Sequence, residues 1–85
     1  MKNVVIHTKS YCPYCHQAVA LLKKRGIPFT ENVLDPYDSA AMNELTKRSG
    51  MRTVPQIFAD DELIGGYDEL AALDRKDNLE SIKKG

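Results

Sequence analysis

Val4-Val5-Ile6-His7-Thr8, Lys9-Ser10-Tyr11 and Cys12-Pro13-Tyr14-Cys15 form one continuous segment, and the architecture of the chain is legible in it. The first five residues are short, mostly β-branched and flanked by polar residues, the pattern of a buried strand. Pro13 suits the first position of a helix, because its missing N–H would be unpaired there in any case. Downstream, Ala18, Leu21 and Leu22 repeat at the i, i+3, i+4 spacing of a helix laid on a sheet. Lys23-Lys24-Arg25 put cations at the negative end of that helix, and Gly26 supplies a left-handed residue to stop it. The spacing predicts a helix over 13–25. Strand, loop and helix follow in order, and both cysteines fall where the helix begins.

Outward from this unit the alternation continues. Residues 27–33, Ile27-Pro28-Phe29-Thr30-Glu31-Asn32-Val33, read as a second strand, with Pro28 tolerable only at its start. Asp35-Pro36-Tyr37-Asp38-Ser39 is a turn leading into a helix cap. Ala41, Leu45 and Arg48 or Ser49 share one face of a helix ending before Gly50. Gln56-Ile57-Phe58-Ala59 and Glu62-Leu63-Ile64-Gly65 form a hairpin about Asp60-Asp61. Asp68 is expected to cap a helix running through Leu73, and Asn78 to Lys84 reads as a last turn or two of helix. The order β-α-β-α-β-β-α implies an α/β domain, a mixed sheet covered on both faces.

Size and charge narrow the functions available. The chain has 85 residues, of which 42% are hydrophobic and 28% charged, the composition of one ordinary globular domain spanning residues 1–85. Twelve basic and twelve acidic side chains cancel, which argues against a nucleic-acid binder held by phosphate neutralisation. The longest purely apolar run is Ala18 to Leu22, too short for a membrane span. Met1-Lys2-Asn3 and the residues after them turn polar too early for a signal peptide's apolar core, so a soluble, cytoplasmic protein is expected. The charge is nevertheless uneven. Residues 1–30 carry Lys2, Lys9, Lys23, Lys24 and Arg25 with no acid, whereas residues 60–80 carry eight acids against Arg75 and Lys76.

Cys12 and Cys15 carry the chemistry. A C-x-x-C pair at the start of a helix beside a βα unit reads as a thioredoxin-like redox site. Both sulfurs reach each other within one turn, while unpaired helix N–H groups face the first of them and favour its anion. Lowering a thiol pKa from about 8.5 to about 5 takes roughly 4.8 kcal/mol. A helix terminus supplies about 0.3–1, and about 2 at best, so direct donors and a cation such as Lys9 must contribute if the shift is that large. Over that range the gain in thiolate at neutral pH nearly cancels the loss of intrinsic nucleophilicity, and the net benefit is to Cys12 as a leaving group. Other readings of the pair remain open. A zinc half-site would need His7 and His16 alongside the cysteines, but His16 directly follows Cys15 and chelates poorly. Cys12 to His16 also matches the C-x-x-C-H pattern of covalent haem attachment, and two inert buried cysteines would show the same spacing.

Two further clusters are weak alone. Thr53-Val54-Pro55 precedes a strand, where a proline is most often an edge or turn residue. Gly65-Gly66-Tyr67-Asp68 closes the hairpin and opens a helix; paired glycines admit a ligand close to the backbone, and Asp68 with the helix N–H groups can bind a polar end. Together with Lys9 and Cys12-Pro13-Tyr14-Cys15, however, Arg52-Thr53-Val54-Pro55-Gln56-Ile57-Phe58 and Gly65-Gly66-Tyr67-Asp68-Glu69-Leu70 closely resemble the glutaredoxins, in particular their short bacterial dithiol type, along nearly the whole chain. The resemblance implies a thioredoxin-like fold, a four-stranded mixed sheet flanked by helices, and a monomeric glutathione-dependent thiol–disulfide oxidoreductase acting on protein disulfides and glutathionylated proteins. It implies catalysis by Cys12 and Cys15, a cis Val54–Pro55 bond, and glutathione bound by Lys9, Tyr14, Thr53, Val54, Pro55, Gly66 and Asp68, with Arg48 or Arg52 as a second cation. Glutathione would be a co-substrate, with no tightly bound cofactor and no metal. Some relatives carry a third cysteine where this chain has Tyr67. Monothiol members that hold iron–sulfur clusters have C-G-F-S where Pro13 and Cys15 stand here. A thioredoxin-type reductase fed by a flavoprotein is the competing enzyme reading, and a haem or metal carrier using Cys12, Cys15 and His16 the competing class.

Overall fold

The computed structural model describes residues 2–84. Strand β1 (Val4–Thr8) leads into helix α1 (Pro13–Lys24), followed by β2 (Phe29–Val33) and α2 (Ser39–Ser49). Then come the hairpin β3 (Gln56–Ala59) and β4 (Glu62–Gly65), and helices α3 (Tyr67–Asp77) and α4 (Glu80–Lys84). The sheet has the order β2-β1-β3-β4, with β1 parallel to β2 and antiparallel to β3, and β4 antiparallel to β3. This is the four-stranded mixed sheet of the thioredoxin-like fold. β1, the strand of that first segment, is interior, with Ile6 opposite Ile57 and beside Glu31.

Alternation along β1 and β3 divides the core between the two sheet faces. Val4, Ile6, Ile57 and Ala59 pack with Ala18 and Leu22 of α1, Leu70 of α3, and Leu79 and Ile82 at the C-terminal end. Phe58, on the other face, packs with Leu34 and with Leu45 of α2. The first cluster is much the larger, so α1 and α3 form the firm side of the molecule. Arg25, which caps α1, reaches Asp74 of α3 with Nε 2.6 Å from Oδ1 and Nη2 3.1 Å from Oδ2. That hydrogen-bonded guanidinium holds the Asp74 carboxyl below its ordinary pKa, and ties the ends of the two helices together.

Most boundaries fall where the residues place them. α1 ends at Lys24, with Arg25 its cap rather than its last residue and Gly26 left-handed at φ +70°. Pro28 stays outside β2, which begins at Phe29 rather than Ile27. Asp38 caps α2, its Oδ1 accepting from Ala41 N–H at 3.1 Å. Two further expectations need correcting. The N-cap of α3 is Gly66, not Asp68; the cap is completed by Glu69, whose Oε1 accepts from Gly66 N–H at 3.0 Å. Nor does α3 stop at Leu73: it continues to Asp77, where the left-handed Asn78 ends it.

Candidate active site

Cys12 occupies the N-cap of α1, in extended backbone, and Cys15 lies one turn in. Their sulfurs are joined in a disulfide, with the Cα atoms 5.1 Å apart. The two residues are not equivalent. Cys15 is 2% exposed, packed under the helix, whereas Cys12 is only partly buried. The Cys15 N–H points at Cys12 Sγ across 3.2 Å, so a helix-end donor is aimed at the accessible sulfur. A thiolate at that atom gains both a charge-assisted hydrogen bond and the positive end of the α1 dipole.

Cys12 Sγ also lies 3.7 Å from the carbonyl oxygen of Val54. The Val54–Pro55 peptide is cis, as the resemblance implies. Val54 and Pro55 line a groove of about 260 Å³, together with Thr53 and Met51. Gly66, Tyr67, Asp68 and Glu69 line it too, as does Tyr14 of α1. The rings of Tyr14 and Tyr67 approach to 6.2 Å between centroids, tilted by 34°. Gly65 is small for steric reasons. A Cβ on Gly65, at φ +129°, would stand 2.6–2.8 Å from the Glu69 side chain that completes the α3 cap. One on Gly66 would meet Pro55 O at 3.4 Å and narrow the groove from within.

Six of the residues named from sequence therefore converge on this groove: Tyr14, Thr53, Val54, Pro55, Gly66 and Asp68. Lys9 does not line it and lies exposed on the loop between β1 and α1. Of the two candidate arginines, Arg48 is committed elsewhere, its guanidinium 4.7 Å from the Phe58 ring centroid and 4.0 Å from Asp61. Arg52 is exposed and borders a separate hollow with Met42, Asn43, Thr46 and Lys47. His7 is buried on the α2 face, with Nδ1 3.0 Å from the Asn32 amide and its ring edge-on to Phe58. Burial, and secondarily the charge of Arg48, lower its pKa. Among the described residues no group of three or more His, Cys, Asp or Glu side chains is arranged to hold a metal ion. Met51, Tyr67 and Glu69 line the groove without having been singled out for it. Glu69 carried a readable signal, an acid three residues beyond a helix start, masked by a glycine where Ser or Thr normally announces the motif.

Comparison with known proteins turns this geometry into an assignment. The sequence profile of the glutaredoxin family matches residues 4–64. The chain belongs to the glutaredoxin family. It is 50% identical to Glutaredoxin 3 of Escherichia coli over 84 residues, 99% of this chain and 100% of that protein. A glutaredoxin of Pseudomonas aeruginosa is 39% identical over 82 residues, 96% of each chain. Among solved structures, a buckwheat glutaredoxin–glutathione complex superimposes with a TM-score of 0.87 at 29% identity, covering 95% of this chain and 76% of the other. Like other glutaredoxins, this chain is a glutathione-dependent thiol–disulfide oxidoreductase, with Cys12 and Cys15 as its redox pair. No helix among the described residues is long and apolar enough to cross a membrane.

Proposed function

We propose that glutathione lies in the groove between Thr53–Pro55 and Gly66–Asp68, with its sulfur presented to Cys12. The observation that carries this reading is the unequal exposure of the two sulfurs beside the groove. An incoming disulfide meets Cys12, while Cys15 is covered. In this reading the backbone of Val54 pairs with the cysteinyl part of the tripeptide, and Asp68 takes its α-ammonium. Thr53, Pro55 and Gly66 shape the walls, while Tyr14 and Lys9 attend the glycine carboxylate. An acid in the groove and a cation on the loop outside it orient a zwitterionic ligand and speed its encounter.

The reaction follows from the donors present. Cys12 thiolate attacks the glutathione sulfur of a glutathionylated protein, forming Cys12–S–S–glutathione and expelling the protein thiolate. A glutathione thiolate then attacks the glutathione sulfur of that mixed disulfide, releasing glutathione disulfide and the Cys12 thiolate. The Cys15 N–H and the helix end that stabilise this thiolate make Cys12 a good leaving group in the second step. With a protein disulfide, Cys12 attacks first, and Cys15 then displaces the substrate thiolate and closes the intramolecular bridge. Two glutathione molecules reopen it. In this proposal the enzyme is a monomer acting on disulfide-containing and glutathionylated proteins in the cytoplasm, where glutathione keeps thiols reduced.

The two routes separate by mutation. Cys12→Ser is expected to lower both activities by at least 100-fold. Cys15→Ser is expected to retain deglutathionylation within a few-fold and lose protein-disulfide reduction. Glutathione-coupled assays on a glutathionylated peptide and on a protein disulfide read this out, and equal behaviour of the two variants would reject the division of labour.

A further inference from the structure

Residues 50–55, between α2 and β3, supply four groove-lining residues but belong to no helix or strand. Side chains at either end of the segment hold its backbone. Met51 N–H donates to Ser49 Oγ at 3.0 Å. From the other side, Gln56 Nε2 donates to Met51 O at 3.1 Å and to Thr53 O at 2.9 Å. Gln56 is fully buried, at 0% exposed, and its Oε1 has no hydrogen-bond partner among the described residues. A buried amide with an orphaned oxygen is a costly way to fill core space, since an apolar side chain of similar length packs without that loss. The compensation lies in the other half of the amide. Its two N–H groups fork between two carbonyls of the groove segment. Gln56 itself is fixed, because it opens β3 and pairs with His7 of interior strand β1.

We propose that Gln56 is a positioning residue for glutathione binding. From a rigid strand its amide sets the backbone of residues 51–53, and through it the Thr53–Val54 edge against which the ligand lies. It does not touch the ligand, and its amide nitrogen donates to Met51 and Thr53 rather than to Cys12 or the end of α1. The inference rests on the reading of the groove given above. Preorganisation of this kind acts on affinity, because a loop that must be ordered at binding draws on the binding free energy.

The test is Gln56→Met, which keeps length and apolar bulk and removes both donors. KM for a glutathionylated peptide is expected to rise about tenfold, the equivalent of roughly one hydrogen bond. In contrast, kcat and the rate of Cys12 alkylation by iodoacetamide should stay within twofold of wild type. A wild-type protein without saturable glutathione-dependent turnover removes the function reading itself. An active wild type with an unchanged KM in the variant overturns the role of Gln56 alone, as does a loss confined to kcat and alkylation. Should the variant not fold, the wild type still decides by NMR. The Gln56 side-chain amide protons are expected to exchange slowly and to shift as S-methylglutathione fills the groove; rapid exchange without a shift overturns the proposal.

Discussion

Two cysteines three residues apart differ chemically because a single backbone N–H reaches only one of the sulfurs. The Cys15 amide serves Cys12, and its own side chain is buried beneath the turn it helps to form. The same residue-level logic applies to His7, which the reaction does not use. Its Nδ1 lies 3.0 Å from the Asn32 amide. Burial first and Arg48 second push its pKa below 6.5. The unfolded chain therefore binds a proton that the folded chain refuses. Stability is complete above pH 6.5 and is lost as the pH falls from there toward the folded pKa, with a slope under about 1.4 kcal/mol per pH unit, the most that one proton can give. Urea denaturation at pH 7.5 and 5.5 should show the wild type losing stability and His7→Gln losing clearly less over that interval. Equal losses would mean that His7 is protonated without cost.

At the scale of elements, what was legible depended on whether local chemistry or distant contact settled the matter. β1, α1 and the β3–β4 hairpin were legible because strand composition, Pro13 and paired turn acids act within a few residues. The cap of α3 was not, since Gly66 offers no side chain and the work passes to Glu69. The site divides in the same way. Six of its residues came from motifs, but the allegiance of Arg48 depended on Phe58 and Asp61, which only the folded chain brings to it. The hairpin shows that a readable element need not be an optimal one. Asp60 and Asp61 have φ of +50° and +66°, the type I′ geometry that right-handed strand twist requires and that prefers glycine second. Asp61 tolerates this conformation at a cost, and its side chain is almost wholly in solvent, with Arg48 no closer than 4.0 Å. Asp61→Gly is therefore expected to stabilise the protein by about 0.5 kcal/mol, raising Tm by roughly 2–4 °C. A lower Tm in thermal unfolding would mean that the Arg48 contact outweighs the backbone strain.

Across the whole molecule the sheet divides the apolar core unequally, and the division reaches the groove. α1 and α3 share the large cluster and are tied by Arg25 and Asp74, while α2 rests on Phe58 and Leu34 with Leu45 as its one buried residue. Partial opening follows the smaller buried area, so α2 should come away before the sheet and α1 do. Yet α2 carries Ser49, which holds Met51 at the entry to the groove segment. If its opening unfastens the groove, a ligand that binds only the closed groove must oppose that opening as strongly as it opposes global unfolding. With S-methylglutathione, which forms no disulfide, at ten times its Kd, both processes should become about elevenfold less frequent. Amide hydrogen exchange measures both at once. In the free protein Leu45 is expected to exchange faster than Leu22 of α1, and the ligand should slow the two by the same factor. Slowing of Leu22 alone would show that α2 opens while the groove stays intact, and that Gln56, from the β3 side, is sufficient to hold the segment without Ser49.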